Sequence, residues 1–438
     1  MKDYFLEFQQ ELESFINNFI FRIKRASKIL DYDLSPIIAN ALYSAISRKH
    51  VQYDWLRKNG HTKHSAITLL CQALTDFIPT RGDSPNHLIR PLPHIAFTAE
   101  HHNKPLLFIY NPRQLSYWEP IITQLKDSAI FLVMFPARRC EGFRLKNVFE
   151  FPLFNIQNIT TGFLSQKTPG ILRLLLGFDL IVSSLKPSKI VCMEGCHIEE
   201  KTLAMVGHHY NIQSICVQQG WPSVFHSGFK KLPFDYMLSW GGIFNSYWRK
   251  YNPGMNCVSV GYIYSIPNKI APHDCITFFL QGPFIISCPE YIDLFLQLIE
   301  DCALSFKEYT ILVREHPEYR ISEDLHRRMA AYDNIDFVTE RPLSDVFMRT
   351  SICVSHFSST IVESTIYGCV PVVFDPTTDS RYIPDLDLLQ IGHFSKTCED
   401  VIATISSFLN MRKQNTGKII TTTGIKAVHN VIEFLNQK

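Results

Sequence analysis

The chain has 438 residues, 46% of them hydrophobic and 19% charged, with a formal net charge of +2 at pH 7. That length exceeds one ordinary domain and fits two with an extension, and the hydrophobic content excludes a disordered chain. The near-neutral balance argues against a dedicated nucleic-acid binder, whose phosphate contacts need a basic excess.

Residues 1–95 read as a helical N-terminal extension. Phe5, Phe8, Leu12, Phe15, Ile16, Phe19, Ile20 and Ile23 recur at helical spacing, an apolar stripe suited to packing on the domain behind it. Lys24, Arg25 and Lys28 follow, so the alternative is a basic amphipathic face that touches anionic lipid. No run approaches the ~18 apolar residues of a spanning helix, and the start of the chain lacks a signal peptide's pattern. The twelve cysteines are scattered, which predicts reduced thiols and a cytoplasmic protein, with peripheral contact at the inner membrane if the basic face meets lipid. Cys192, Cys196 and His197 come nearest to a metal-ligand set. Without a second Cys/His pair at ligand spacing they predict no zinc site.

Beyond the extension, short apolar runs alternate with helical stretches. Residues 106–110, 130–135, 189–193, 214–217, 235–239 and 257–260 read as strands, and 117–125 and 172–184 as helices. A segment with Pro267 and Pro272 then reads as a linker, after which the alternation restarts. Strands are expected at 276–280, 309–313, 352–354 and 370–374, and helices at 291–304 and 361–367. Alternation of this kind predicts parallel sheets covered on both faces. The fold class is therefore α/β, two Rossmann-like domains over 96–265 and 266–438 facing each other across a cleft. Ligands are expected beyond the carboxyl ends of the strands.

Residues 352–376, ICVSHFSSTIVESTIYGCVPVVFDP, carry the first motif. A strand runs into Ser358, Ser359 and Thr360 at a helix start, where unpaired backbone amides and hydroxyls form a phosphate cradle. Thr360 and Glu363 also have capping-box spacing, and Gly368 sits where the helix should stop. The second motif, LVREHPEY over 312–319, places His316 and Pro317 after a strand, the histidine as a donor to phosphate and the proline stiffening the turn. Gln281 and Gly282, in the first loop of the second half, are further candidates for the donor phosphates. Gln219 and Gly220 follow a strand of the first half and could meet sugar or acceptor, or serve only the turn.

His316-Pro317 followed by Ser358-Ser359-Thr360 resembles the bacterial GT-B transferases of capsule and lipopolysaccharide assembly that use CMP-sugars, including polysialyltransferases and Kdo transferases. The resemblance covers roughly residues 190–375. CDP-glycerol-type polymerases share a similar layout, which leaves the donor base open. It implies the GT-B architecture and transfer of a sialic acid- or Kdo-like sugar from a nucleotide-sugar co-substrate to a polysaccharide or glycolipid acceptor. In sialyltransferases of that group an acidic residue followed by glycine at a strand end is the general base. The matching pair here is Glu194-Gly195, with Met193 where the fuller pattern has a second acid. Glu199 and Glu200 are expected to face solvent. Two Asp-x-Asp patterns, Asp31–Asp33 and Asp385–Asp387, follow no convincing strand, so the reaction is expected to need neither metal nor cofactor. The rival readings are a UDP-sugar transferase, a sugar-nucleotide epimerase of the same fold and a non-catalytic carbohydrate binder. An epimerase should carry additional acids in the cleft and would leave the extension unexplained.

Overall fold

The computed structural model describes residues 4–23, 28–29, 32–72, 97–152, 168–220, 227–266, 275–280, 289–316, 320–356, 358–376, 392–410, 420 and 422–437. The extension contains α1 (Phe5–Ile23), the two-residue strands β1 (Lys28–Ile29) and β2 (Tyr32–Asp33), α2 (Ser35–Ile46), α3 (His50–Lys58) and α4 (Lys63–Gln72). Phe5, Phe8, Leu12 and Ile16 of α1 are buried against the other helices, so this part of the stripe serves packing. Glu7 pins the same helix by accepting from Tyr53 Oη at 2.8 Å and Arg57 Nε at 2.5 Å. Lys24 and Arg25, which carried the lipid alternative, lie outside the described residues. Asp33 caps α2, accepting from the Ser35 amide at 3.0 Å, while Asp31, Asp385 and Asp387 lie outside the described residues.

The next unit runs β3 (Leu106–Ile109), α5 (Gln114–Leu125), β4 (Ile130–Val133), β5 (Val148–Glu150), α6 (Thr168–Leu185), β6 (Lys189–Met193), α7 (Ile198–His209), β7 (Gln213–Val217), β8 (Tyr236–Ser239), α8 (Gly242–Tyr251) and β9 (Asn256–Ser259). Its seven strands lie in the order β5-β4-β3-β6-β7-β8-β9, all parallel. Every residue of β3, β4 and β6 is buried, as a sheet covered on both faces demands.

The last unit runs β10 (Cys275–Phe279), α9 (Pro289–Ser305), β11 (Thr310–Arg314), α10 (Glu323–Met329), β12 (Ile335–Phe337), α11 (Leu343–Arg349), β13 (Thr350–Ser355), α12 (Ser359–Ile366), β14 (Val370–Phe374), β15 (His393–Ser395) and α13 (Cys398–Asn410). The strand order is β12-β11-β10-β13-β14-β15, again all parallel. Two such sheets in one chain make the GT-B arrangement. In each sheet the order reverses beside the first strand, at β3/β6 and at β10/β13, and a crevice opens at such a switch point.

The closing helix α14 (Ile425–Asn436) does not stay with the sheet that precedes it. Ala427, Val428, Val431 and Leu435 join Leu107, Ile109, Val191 and Ile215 in one core, so α14 packs on the first sheet. Buried Lys189, at the start of β6, donates its Nζ to the carbonyls of Leu435 (2.8 Å) and Gln437, a cation held at a helix C-terminus. Sequence placed residues 266–438 in one domain; helical spacing gives α14 an apolar face but does not say which sheet it covers. Among the described residues no helix is long and apolar enough to cross a membrane, and no described cysteine is in a disulfide.

Candidate active site

Glu194 and Gly195 follow β6 directly, at the switch point of the first sheet. Both have positive φ, 75° and 80°, so the chain turns sharply out of the strand. A side chain on Gly195 would place its Cβ 2.8 Å from Cys216 Sγ and 3.1 Å from Phe234 Cε2. Only glycine suits both that backbone and that space. Glu194 has the conformation without glycine's freedom, a strained residue of the kind that collects at functional sites.

The loop is held from below. Glu200 of α7 is fully buried, and its Oε2 accepts from the amides of Gly195 at 3.0 Å and His197 at 3.3 Å. Burial raises its carboxyl to about 8, against the opposing pull of the nearby His197. The expectation that Glu200 faces solvent is therefore wrong. Its amphipathic context hid a carboxylate whose partners are backbone N–H groups of its own helix start. Glu199 is half-buried.

Glu194 itself has 34% of its side chain exposed. Its Oε2 lies 3.4 Å from His197 Nε2, and Cys196 Sγ lies 3.6 Å from Oε1. Burial disfavours a charge on His197, but its Cys196 and Glu194 partners outweigh that and hold the imidazole above the ordinary histidine range. The ring also stacks on Tyr110, which follows β3 across the switch point, at 4.2 Å between centroids. The pair can therefore accept a proton at Glu194 and deliver one from His197.

The extension reaches this loop. Asn40 of α2 is buried, donates to the Cys196 carbonyl at 2.9 Å and accepts from Lys201 Nζ at 3.5 Å. Lys201 is buried too, which lowers its amine to about 8. Sequence spacing gave no sign of a contact between residues 40 and 196, because the pairing exists only once α2 packs on α7.

Across the cleft, β13 ends at Ser355 and α12 opens at Ser359. Ser358 is the N-cap, accepting from the Thr360 amide at 3.3 Å. His356 anchors the turn beneath, its Nδ1 2.6 Å from the Phe374 carbonyl. Thr360 Oγ1 and, on the facing domain, Tyr264 Oη are buried without a hydrogen-bond partner among the described residues. Two such hydroxyls at a cleft suit the oxygens of a ligand. Glu363, one turn into α12, accepts from Tyr262 Oη at 3.4 Å and so links the two domains. Burial raises its carboxyl to about 7, partly offset by hydrogen bonds from Ser359 and Tyr262. Burial also raises the Tyr117 phenol, and the charges of Glu363 and Glu194 raise it further. Tyr117, Tyr262 and Tyr264 were not marked by sequence; Tyr262 and Tyr264 lie in a loop, where aromatic residues carry no periodic signal, and Tyr117 lies on α5, whose helical spacing does not reveal a site.

The remaining expected residues are distributed as follows. His316 is half-buried, two residues past β11, at the same edge of the second sheet as Ser358. Pro317, Gln281 and Gly282 lie outside the described residues. Gln219 and Gly220 follow β7 and are half-buried. The polar contacts of that turn belong to buried Gln218. Its Oε1 accepts from the Trp240 amide at 3.2 Å and Trp248 Nε1 at 3.4 Å, and its Nε2 donates to the Gly220 carbonyl at 3.1 Å.

No protein-family model matches the chain, and no curated protein sequence matches it. Solved structures do. The UDP-GlcNAc 2-epimerase of Neisseria meningitidis bound to UDP-GlcNAc is similar at a TM-score of 0.53 and 11% identity, over 76% of this chain and 99% of that one. The UDP-GlcNAc 2-epimerase of Methanocaldococcus jannaschii in complex with UDP-GlcNAc and UDP is similar at 0.51 and 15%, over 76% and 99%. At these identities the likeness is one of fold, and it agrees with the GT-B architecture.

Proposed function

We propose that this protein is an enzyme acting on a uridine diphosphate sugar, and that its reaction is epimerisation at C2 of the sugar. The observation that carries the reading is the pairing of two features at facing switch points. One is the Glu194–His197 carboxylate–imidazole pair. The other is the start of α12, with Ser358, Ser359, Thr360 and Glu363. Nearly the whole length of two sugar-nucleotide 2-epimerases has the same fold, which supports that substrate class.

The chemistry follows from the substrate. The C2 hydrogen of a pyranose is not acidic, so its removal must be coupled to departure of the group on C1. Glu194 takes the C2 proton, the C–H pair becomes the C1=C2 bond, and the C1–O pair leaves with UDP. The departing phosphate gains negative charge at the α12 N-terminus, where amides and hydroxyls stabilise it. Addition of UDP back to C1, with a proton delivered to the opposite face of C2 by an acid across the ring from the adjacent Glu194–His197 pair, completes the inversion. No metal or cofactor enters this sequence. Both objections raised by the sequence lose their force, since Glu363 adds an acid where the two domains meet and Asn40 ties the extension to the Glu194 loop.

Uridine replaces the cytidine expected from the His-Pro and Ser-Ser pairing, because the similar structures are named as holding UDP-GlcNAc or UDP. A second reading, glycosyl transfer, is favoured by the one-third exposure of the Glu194 side chain, which leaves room for an acceptor hydroxyl. There the same carboxylate would activate a glycan or glycolipid acceptor, and the same helix end would take the leaving phosphate.

Incubation with UDP-N-acetylglucosamine in D2O, followed by NMR, separates the two. Epimerisation predicts a C2-inverted product carrying deuterium at C2. Retention of the C2 proton, with sugar passed to an added acceptor, would replace it by the transferase reading.

A further inference from the structure

The loop after β6 brings three different ligating groups together: the Glu194 carboxylate, the Cys196 thiol and the His197 imidazole, with one atom of each within 4.8 Å of the others. His197 Nε2 is 3.4 Å from one carboxylate oxygen of Glu194, and Cys196 Sγ is 3.6 Å from the other. Those separations can be set against a metal's own geometry. Atoms bound to one zinc at about 2.0–2.3 Å lie about 3.4–3.6 Å apart in a tetrahedron, so the separations are of the right size, and turning the Glu194 carboxylate to present one oxygen to both partners is the adjustment the ion requires.

We propose that Glu194, Cys196 and His197 form a three-ligand site for a zinc-class divalent cation, open to the cleft at its fourth position. The sequence had pointed elsewhere, pairing Cys196 with Cys192. In the structure Cys192 faces the hydrophobic core from within β6, and Glu194 takes its place in the set.

Three further observations fit the assignment. The Glu194 and His197 side chains are 34% and 28% exposed and Cys196 is half-buried, so an ion can enter from the cleft. The support around the ligands is fixed, with Asn40 on the Cys196 carbonyl, Glu200 on the His197 amide and Tyr110 stacked on the imidazole. The ligand chemistry selects the ion: a thiolate and an imidazole beside one carboxylate suit Zn²⁺ or Co²⁺, whereas Mg²⁺ and Ca²⁺ prefer all-oxygen sites.

Binding displaces the thiol proton to solvent and occupies the Glu194 carboxylate. On the reading of Glu194 as the base, Zn²⁺ is therefore an inhibitor of this enzyme and EDTA restores its activity. That consequence rests on the proposed function; the site itself does not.

The test uses the full-length protein and Co²⁺, whose thiolate complexes absorb in the near ultraviolet and whose tetrahedral complexes have strong visible bands. One Co²⁺ per chain with both features is expected, and Zn²⁺ should displace it while Mg²⁺ does not. Cys196→Ser should abolish the thiolate band, and His197→Gln should weaken Zn²⁺ affinity about tenfold or more. Near-UV circular dichroism identifies which variants are folded, and two single-site changes guard against loss of one. Absence of a thiolate band in the wild type, or its persistence in Cys196→Ser, would overturn the site. Zn²⁺ binding with the expected spectrum but without inhibition would leave the site standing and count against Glu194 as the base.

Discussion

Replacing Gly195 by alanine tests the turn on which the whole site depends. The φ of +80° costs an L-residue about 1–2 kcal/mol relative to glycine. The new methyl also meets Cys216 Sγ at 2.8 Å and Phe234 Cε2 at 3.1 Å, both on buried residues that have little room to move. Overpacking of that kind adds about 1–3 kcal/mol. Alanine recovers about 0.4–1 kcal/mol by restricting the unfolded chain. The net destabilisation is therefore roughly 1.5–4 kcal/mol, equivalent to a fall of roughly 3–16 °C in the melting temperature of a domain this size. Scanning calorimetry is the assay, with Gly220→Ala as the control. At Gly220 no described residue lies within 4 Å of the added carbon and φ is not positive, so its melting temperature should stay near wild type. A Gly195→Ala shift no larger than that of Gly220→Ala would refute the reasoning.

Three other outcomes follow from the same geometry. Glu194→Gln should leave UDP binding near normal and lower turnover about 10²–10⁴-fold, read by calorimetry and by product formation. Asn40→Ala strips the Cys196 carbonyl of its donor, so stability should fall by about 1–3 kcal/mol and turnover should drop with little change in KM; Asn40→Asp also lacks the donor but keeps an acceptor for Lys201, so turnover should drop with a smaller loss of stability. Glu363 should make stability pH-dependent. Burial raises its folded-state carboxyl to about 7 from an unfolded value of 4.5, so its contribution is full below 4.5 and is lost as pH rises through 7. Urea unfolding of wild type and Glu363→Gln should diverge across that window by at most about 3 kcal/mol, and parallel curves would contradict the assignment.

Much of this architecture was legible in the order of residues because it depends on local pattern. The runs at β3, β4, β6, β10 and β14 are almost wholly apolar, and a parallel strand buried on both faces can hardly be anything else. The hydroxyls at Ser358–Thr360 announced a helix start, and Glu194-Gly195 announced a turn at a strand end, since the chemistry of each is contained within a few residues. The three-residue edge strands β5, β12 and β15 escaped notice because so short a run has no period to read.

What only the tertiary structure decided is which distant groups meet. Whether α14 covers the first sheet or the second depends on how the chain returns after Gly424, not on the apolar face that its sequence displays. Glu200 looked like a surface acid until the fold placed it under the amides of Gly195 and His197. The contact of Asn40 with Cys196 spans 156 positions, and the bond from Tyr262 to Glu363 crosses from one domain to the other. A sequence records the residue types available for such contacts. Their distances come from the packing of whole helices and sheets, in which burial removes water and makes each polar group find its partner.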